Sequence, residues 1–300
     1  MNKIMLGVDI GGSHITAALV NLETRSILPG SLTRGHVNSQ GTVEVIIAEW
    51  CDAIGKSLRS HNFSPEKIGI AMPGPFNYKL GISEIRNQSK YDSLYRLNIK
   101  ELLASALDIP ENGIEFFNDA ECYLGGEVFC GAAKGCNSAI GLTLGTGLGT
   151  AWYRDEMAED ARLWKYPFME GIAEDYLSTR WFIKRYNELS GRSVKDVKEL
   201  AGITDVDVEA KIVFYEFGTN LSTFLSILLR KHNPELVVIG GNIAKAFDLF
   251  YPALAKGLDE FLVTTRIERG QLGEEAALLG AASCSEWKES EVMAQRKLNK

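Results

Sequence analysis

The same local pattern occurs twice in this chain: an apolar segment with the character of a strand, a glycine turn, and a second strand-like segment. The first copy is GVDIGGS at residues 7–13, and the second is GLTLGTG at residues 141–147, about half a chain later. A supersecondary unit that recurs over such a distance predicts two lobes of related architecture. The repeat therefore favours a fold built from duplicated halves.

Strand-like runs alternate with amphipathic helical segments along the chain, an order typical of α/β folds. Strands are predicted at residues 5–8, 16–20, 67–71, 115–117, 138–144 and 236–239. Helices are predicted at residues 42–61, 120–129, 171–189, 208–231 and 274–284, followed by a polar tail at residues 288–300. The predicted fold class is therefore α/β.

A chain of 300 residues is long enough for about two domains, and 45% hydrophobic with 24% charged residues is an ordinary balance for a globular protein. We expect an N-terminal lobe at residues 1–117 and a C-terminal lobe at residues 118–300. The last helix is expected either within the C-terminal lobe or packed back on the N-terminal lobe. No Pro- or Ser-rich stretch separates the lobes, so we expect structured connections between them.

The net charge of −7 offers no broad positive surface for a phosphate backbone, so nucleic acid is not an expected partner. No uninterrupted apolar run approaches the roughly 20 residues that cross a bilayer, and the first residues lack the character of a signal peptide. We therefore expect a cytoplasmic protein without a membrane partner. The cysteines form no C-x-x-C pair and are interpreted as buried or idle thiols: Cys51, Cys122, Cys130, Cys136 and Cys284.

The first glycine turn places a carboxylate, Asp9, shortly before Gly11, Gly12 and Ser13. Glycine allows backbone N–H groups to approach phosphate oxygens closely, and an adjacent acid can hold the metal that accompanies a nucleotide. A glycine pair is also common in ordinary hairpin turns, so this segment alone indicates phosphate binding only weakly. Its recurrence at Gly145-Thr146-Gly147 favours phosphate binding over two unrelated turns.

A third segment, Asn118-Asp119-Ala120, follows a short buried strand and begins a helix. Open α/β sheets place ligand-binding groups at this position. The alternative role for Asp119 is that of a helix N-cap, which satisfies backbone N–H groups in the first turn. The segment by itself leaves both interpretations open.

Taken in order, these three segments closely resemble the ROK family of sugar kinases and repressors, whose members carry a D-x-G-G-T hairpin, an N-D-A catalytic segment and a G-T-G-x-G hairpin. Residues 69–75 (GIAMPGP) resemble the sugar-side segment of the family, residues 237–241 (VVIGG) its adenosine-side strand and turn, and residues 275–282 (EAALLGAA) its closing helix. The resemblance thus covers nearly the whole chain. It implies a two-lobed, actin-like ATPase fold of the ribonuclease H-like type, with a central cleft between duplicated lobes.

The resemblance also implies roles for individual residues of an ATP-dependent sugar kinase. Asp119 would accept the proton of the attacking sugar hydroxyl as general base, and Asp9 would lie near Mg²⁺. Sugar contacts are implied for Asn118, Glu174, Pro73 and Gly74. Nucleotide and phosphate contacts are implied for Asp9, Gly11, Gly12, Ser13, Gly145, Thr146, Gly147, Gly240 and Gly241. The implied cofactors are ATP and Mg²⁺, and the resemblance favours a homodimer.

The sequence departs from the family where many members carry G-E-x-G-H followed by a cysteine-rich zinc loop. Residues 161–174 (ARLWKYPFMEGIAE) contain no cysteine and no histidine, so we predict no structural zinc. Arg162 and Lys165 lie roughly where the family has its Glu and His. Glu174 ends a segment that still resembles G-C-L-E, and it is interpreted either as a sugar contact or as a solvated helix residue.

Two further features of the expected site have alternative interpretations. Ser13 replaces the Thr of the family pattern and keeps its hydroxyl, whereas His14, where Lys is frequent, is either a phosphate donor or an ordinary hydrogen-bonded side chain. Residues 89–95 (SKYDSLY) are expected to border the sugar mouth. Their aromatic rings either stack on a sugar or pack in the core.

Two classes of function fit the sequence. The favoured one is ATP-dependent phosphorylation of a hexose or a hexose derivative, as in a glucokinase. The alternative is a non-catalytic, sugar-sensing or regulatory ROK protein without a DNA-binding domain, in which the altered residues 161–165 no longer support productive sugar binding. A DNA-binding repressor is disfavoured, because the chain is acidic and starts directly with its first predicted strand.

Overall fold

The computed structural model describes residues 4–65, 67–261 and 265–284. These residues group into two compact units. The first comprises the described chain up to Lys134 with residues 156–158 and 274–284, and the second comprises the described parts of 135–155 and 159–273. The first unit therefore extends past the predicted boundary at residue 117. The predicted polar tail at residues 288–300 lies outside the described residues.

The first unit is built on a mixed β-sheet. Its strands are β1 (Ile4–Ile10), β2 (His14–Asn21), β3 (Ser26–Ile27), β4 (Thr33–His36), β5 (Ile68–Met72), β6 (Phe76–Asn77), β7 (Ile82–Ser83) and β8 (Ile114–Asn118). Six of them form one sheet in the order β3-β2-β1-β5-β8, in which β4 also pairs with β2, and β6 pairs with β7 separately. Strand β1 runs antiparallel to β2 and parallel to β5, and β5 runs parallel to β8.

Helices cover both faces of this sheet. They are α1 (Val43–Arg59), α2 (Ile99–Leu107), α3 (Asp119–Cys130) and a helix described at residues 276–284. Neighbouring side chains of β8 enter different clusters: Phe116 lies in the core with Trp50 of α1, and Phe117 lies with Cys122 of α3 and Ala281. Every residue of β5 is buried, which is typical of a parallel strand covered on two sides.

The parallel pairing brings the carboxyl ends of three strands to one edge of the sheet. Asp9 of β1 lies opposite Ala71 of β5, and Ala71 lies opposite Phe117 of β8. One step further, Met72 lies opposite Asn118. The residues that follow these strands therefore begin beside one another, although they are far apart in sequence.

Three glycines allow backbones in the first unit to touch. A Cβ on Gly7 of β1 would overlap the carbonyl oxygen of Leu278, and one on Gly126 of α3 would overlap that of Ala276. A Cβ on Gly280 would likewise overlap the carbonyl oxygen of Cys122. Helix 276–284 thus packs on α3 and β1 without intervening side chains, a distance that only glycine permits.

The second unit repeats the arrangement of a sheet with packed helices. Its strands are β9 (Ala139–Leu144), β10 (Leu148–Arg154), β11 (Met157–Asp160, of which residues 157–158 group with the first unit), β12 (Pro167–Phe168), β13 (Gly171–Ile172), β14 (Leu236–Gly240) and β15 (Arg266–Arg269). The sheet order is β11-β10-β9-β14-β15, and β12 pairs with β13. The helices are α4 (Ala173–Tyr176), α5 (Thr179–Ser190), α6 (Val197–Gly202), α7 (Val208–His232) and α8 (Phe247–Glu260).

Short 3-10 helices complete the described structure at Asp92–Leu94, Glu111–Gly113, Leu163–Lys165, Ile243–Ala246 and Gly273–Glu275. The single helix predicted at residues 171–189 is wrong. Its first residues form β13, and Ser178 has an extended backbone that separates α4 from α5. Pairing of Gly171 with Phe168 supplies hydrogen bonds that a continuous helix would forfeit. The other predicted strands and helices are confirmed, with their ends displaced by a few residues.

Helix α7 is long and apolar enough, by length and composition, to span a membrane. Within the second unit, however, it packs against α8 and α5. Its side chains Phe214, Phe217 and Leu221 are fully or almost fully buried in the core of that unit. The apolar character of α7 is therefore accounted for by its position as a core helix.

We expect Gly280→Ala to destabilise the protein by roughly 1–3 kcal/mol, because the added methyl group forces helix 276–284 away from α3. Gly202→Ala is the matched control, since a Cβ at this helical glycine meets open space. Urea unfolding followed by circular dichroism measures both variants. Equal unfolding midpoints for the two variants would contradict the close packing.

Candidate active site

The turn between β1 and β2 leaves backbone donors exposed. Gly11 N donates to the carbonyl oxygen of His14 at 2.9 Å, which closes the turn. Gly12 and Ser13 are exposed, and their N–H groups donate to no described residue. Successive N–H groups at such a turn form a concavity that binds anions. The turn therefore offers donors to a phosphate group.

The side chains at this turn are partly engaged with each other. Ser13 Oγ lies 2.8 Å from His14 Nδ1, within hydrogen-bond distance. The ring of His14 also contacts the ring of His36 edge-on, with centroids 5.8 Å apart. Of the two interpretations of His14, the structure fits the ordinary hydrogen-bonded side chain.

Asn118, and not Asp119, caps helix α3. Asn118 Oδ1 accepts from the N–H groups of Ala120 at 2.9 Å and Glu121 at 3.3 Å. The N-cap alternative for Asp119 is therefore wrong, and Asp119 is the first residue of the helix. Its Oδ1 accepts from Ala120 N at 2.9 Å. The positive end of the helix dipole favours an ionised carboxylate at this place.

Tyr78 joins the ends of β5 and β8, and sequence reasoning missed it. Its hydroxyl donates to the carbonyl oxygen of Met72 at 3.1 Å and accepts from Asn118 Nδ2 at 3.1 Å. A Cβ on Gly74 would lie 3.3 Å from the same hydroxyl oxygen. Tyr78 thus fixes the amide of Asn118 next to Pro73-Gly74. The only signal in the sequence is an aromatic residue shortly after the Gly-Pro turn.

The pKa of Asp9 at this edge is strongly perturbed. Burial of its carboxyl group raises its pKa to about 7, and the negative charge of Asp119 adds to the rise. The guanidinium of Arg34 opposes the rise, while Glu274 adds to it slightly. Arg34 is itself ion-paired with Glu274, so its charge is shared. Asp9 and Asp119 are therefore two interacting carboxyl groups that a cation would stabilise.

In the second unit, Glu174 braces the other glycine turn. Its Oε2 accepts from Leu148 N at 3.0 Å, and its Oε1 accepts from Arg180 Nη2 at 2.8 Å. A Cβ on Gly147 would lie 2.6 Å from Glu174 Oε2. The Glu174 side chain is 23% exposed, so it is not a solvated helix residue. Thr179 N also donates to the carbonyl oxygen of Gly145 at 2.8 Å, which ties α5 to this turn.

The turn after β14 lies at the same edge of the second sheet. Gly240 is opposite Thr143 in the parallel pairing of β14 with β9. Gly241 has φ +82, and a Cβ there would collide with the backbone of Leu144. Only glycine satisfies both the positive φ and the close approach. The Gly240-Gly241 turn is thereby held next to the start of the Gly145-Thr146-Gly147 turn.

The aromatic residues at 89–95 do not present free faces. Tyr91 is fully buried and packs against Trp50, so core packing is the correct interpretation for this ring. The guanidinium groups of Arg86 and Arg96 each lie 5.2 Å from the centroid of the Tyr95 ring. These cations cover Tyr95 where a sugar was expected to stack.

The region that departs from the family forms a turn with exposed cations. Arg162 has φ 51 and lies 3.7 Å from Asp160, with most of its side chain exposed. Leu163 N donates to Thr150 Oγ1 at 2.9 Å, which anchors the turn to β10. Across the described ranges, no group of three or more His, Cys, Asp or Glu side chains is arranged to hold a metal ion.

The structure therefore gathers the predicted residues into two sets, one in each unit. The first unit brings together the residues at the carboxyl edge of its sheet: Asp9, Gly11, Gly12, Ser13, Pro73, Gly74, Asn118 and Asp119. The second unit brings together the glycine turns and the glutamate that braces one of them: Gly145, Thr146, Gly147, Glu174, Gly240 and Gly241.

The fold is the actin-like ATPase fold predicted from the sequence. A crystal structure of a ROK hexokinase from Thermus thermophilus matches with a TM-score of 0.81 at 22% identity, covering 96% of this chain and 100% of that chain. A ROK family glucokinase from Streptomyces griseus, solved with glucose and AMPPNP, matches with a TM-score of 0.74 at 22% identity, covering 94% and 98%.

The ROK family model matches residues 5–157, more than half of the chain, and the chain belongs to the ROK family. It is 24% identical to an N-acetyl-D-glucosamine kinase of Histophilus somni, over 92% of this chain and 97% of the relative. It is 28% identical to a glucokinase of Thermotoga maritima, over 93% of this chain and 96% of the relative. The suspected family membership is confirmed.

Replacing Asp9 by Asn should stabilise the ligand-free protein increasingly as the pH rises from about 4 to about 7. In this range unfolded Asp9, with a pKa of 3.8, has released its proton while folded Asp9, with a pKa of about 7, retains it. The wild type has its full Asp9-dependent stability below about pH 4, where Asp9 is protonated in both the folded and the unfolded states. This stability is lost as the pH rises to about 7. The gap between variant and wild type should reach a few kcal/mol and then remain constant.

Thermal unfolding of wild type and Asp9→Asn between pH 4 and pH 8 tests this. Asp52→Asn is the control, because Asp52 is an exposed carboxylate paired with Lys56. A gap that does not change with pH would show that Asp9 titrates as an ordinary aspartate.

Glu174→Ala should lower the stability by roughly 1–3 kcal/mol, since it leaves the N–H group of Leu148 without its acceptor. Glu174→Gln keeps an acceptor oxygen and loses only the pairing with exposed Arg180, so about 1 kcal/mol or less is expected. Glu170→Ala, at an exposed position four residues earlier, is the control. If Glu174→Ala unfolds at the same temperature as the control, Glu174 does not brace the turn.

Proposed function

We propose that this chain is a cytoplasmic, ATP-dependent sugar kinase that transfers the γ-phosphoryl group of ATP to a hydroxyl of a hexose or hexose derivative. The observation that carries the proposal is the position of Asp119. It stands at the sheet edge near Asp9 and next to Asn118, and the capping of α3 is performed by Asn118. The names of the relatives, a glucokinase and an N-acetyl-D-glucosamine kinase, support this class of reaction.

Asp119 is proposed as the general base. Its place in the first turn of α3 favours the ionised form, which can accept a proton. As the sugar oxygen forms its bond to the γ-phosphorus, the hydroxyl proton passes to the Asp119 carboxylate. The bond from the γ-phosphorus to the bridging oxygen breaks, and ADP leaves with that electron pair. Charge and atoms balance without a covalent enzyme intermediate.

The residues of the first unit fit a magnesium–nucleotide complex. Mg²⁺ in nucleotide sites is usually held by one or two carboxylates together with phosphate oxygens and water, so a cluster of three protein ligands is not required. Asp9 would hold it, and the repulsion between Asp9 and Asp119 would be relieved by its charge. When bound, Mg²⁺ neutralises the charge that develops on the phosphate oxygens.

The phosphate and nucleotide contacts are proposed for each unit separately. In the first unit, the exposed N–H groups of Gly12 and Ser13 would donate to phosphate oxygens. In the second unit, the Gly145-Thr146-Gly147 and Gly240-Gly241 turns would contact the nucleotide. Their shared sheet edge and the brace from Glu174 support this assignment.

The sugar contacts are proposed at the end of β5 and the start of α3. One N–H of the Asn118 amide donates to Tyr78, which leaves the second N–H for a sugar hydroxyl. Pro73 and Gly74 lie close to this amide, because the Tyr78 hydroxyl that accepts from Asn118 also lies beside Gly74. Glu174 would have to exchange a bond to Leu148 N or Arg180 for a sugar hydroxyl. We therefore propose Glu174 as a sugar contact that forms when one of these two bonds is exchanged.

The altered region at residues 161–174 supports a kinase without structural zinc, because the thiolate and imidazole ligands are absent from its sequence. Arg162, an exposed cation, lies roughly where the family has its Glu. This change in the sugar-side region supports the second candidate, a non-catalytic sugar-sensing ROK protein. The homodimer implied by the resemblance stays a prediction. Nucleic acid and membrane are not among the partners we propose.

The test is a coupled ADP-release screen with Mg-ATP against hexoses, amino sugars and N-acetylated sugars. Asp119→Asn should lower kcat about 10²- to 10⁴-fold, because the amide cannot accept the proton, while the affinity for ATP is retained. Asp108→Asn is the control, since Asp108 is an exposed residue at the end of α2 in a backbone conformation that Asn also adopts. No turnover with any sugar, with ATP still bound, would refute the kinase and favour the sensor.

A further inference from the structure

Lys90 lies against the first glycine turn and was given no role by the sequence patterns. A Cβ on Gly12 would be 3.5 Å from Lys90 Cδ, so the aliphatic part of the lysine runs over this glycine. The ammonium group lies two bonds beyond Cδ. The stem of Lys90 therefore lies beside the turn that exposes the N–H groups of Gly12 and Ser13.

The backbone around Lys90 is fixed on both sides. Tyr91 N donates to the carbonyl oxygen of Ser39 at 2.6 Å, and Gln40 Nε2 donates to that of Ser89 at 3.2 Å. The buried Tyr91 hydroxyl donates to the carbonyl oxygen of Gly11. The segment that carries Lys90 is thus bonded directly to the glycine turn. A tyrosine in the core holds a lysine over the turn.

The charge of Lys90 has no partner among the described residues. Its side chain is half-buried, and it forms no ion pair or hydrogen bond with any residue that the structure describes. The other cation that acts on this edge, Arg34, is already paired with Glu274. A half-buried ammonium beside exposed N–H donors attracts an anion that carries several oxygens, such as a phosphate group.

We propose that Lys90 binds a phosphate group of the nucleotide held at the Gly11–Ser13 turn. The inference rests on the proposed kinase function and adds to it a residue that distinguishes ATP from adenosine. A phosphate or carboxylate group on the sugar has the same chemistry, and the experiment separates the two sources. The nucleotide is favoured because the lysine stem lies on Gly12 itself, next to the N–H groups assigned to it.

The test compares wild type with Lys90→Met, Lys90→Arg and the control Lys56→Met, which removes an exposed lysine paired with Asp52 on α1. Calorimetry measures the affinities for ATP, ADP and adenosine without any sugar turnover. Lys90→Met should weaken ATP binding about tenfold to hundredfold, because a charge-assisted hydrogen bond is lost. Adenosine binding should be unchanged, and Lys90→Arg should recover most of the ATP affinity.

Two results would overturn the inference while leaving the kinase intact. One is a wild type that phosphorylates a sugar together with a Lys90→Met variant whose ATP affinity equals that of Lys56→Met. The other is a Lys90→Met variant whose KM rises for the sugar and not for ATP, which would assign the lysine to the sugar. A wild type that binds no ATP would refute the proposed function itself, and the role of Lys90 with it.

Discussion

The parallel register of β1, β5 and β8 is the constraint on which the candidate active site depends. Backbone hydrogen bonds set Asp9 opposite Ala71 and Met72 opposite Asn118, so three separate segments reach one edge together. A shift by one residue would turn every side chain of a strand to the other face, and both clusters that cover the sheet would be lost. The burial of the apolar side chains of β5 and β8 therefore also fixes the positions of the polar residues that follow them.

The sequence was sufficient for the features that depend on local chemistry. Glycine turns, the segment Asn118-Asp119 and most strands and helices could be predicted, because each has a compositional signature within a few residues. Tyr78 and Lys90 could not be predicted, since their roles arise from contacts across the fold: with Asn118 for the tyrosine and with Gly12 for the lysine. The break between α4 and α5 at Ser178 could not be predicted either. It accompanies the pairing of β12 with β13, and the spacing of apolar residues along a helix gives no sign of that pairing.

Glu174 shows why a residue that matches a motif still needs a structure. The local match at Gly171–Glu174 is compatible with a sugar contact, and the helix start is compatible with solvent exposure. In the structure both carboxylate oxygens are occupied, one by Leu148 N and one by Arg180. Because Glu174 accepts a hydrogen bond from the backbone of the adjacent glycine turn, any ligand that binds Glu174 must compete with that backbone. The proposed sugar contact of Glu174 would therefore couple sugar binding to the shape of this turn.

The close contact of helix 276–284 with β1 and α3 determines the order in which the two units can be completed during synthesis. The first unit takes residues from both ends of the described sequence, since Gly7 meets Leu278 and Cys122 meets Gly280. On the ribosome, residues 135–273 emerge between these partners. Strand β1 is thus made before the second unit yet receives its last neighbour only after residues 135–273 have been made, whereas the sheet of the second unit has all its strands earlier. The order of completion is the reverse of the order of the two units in the sequence.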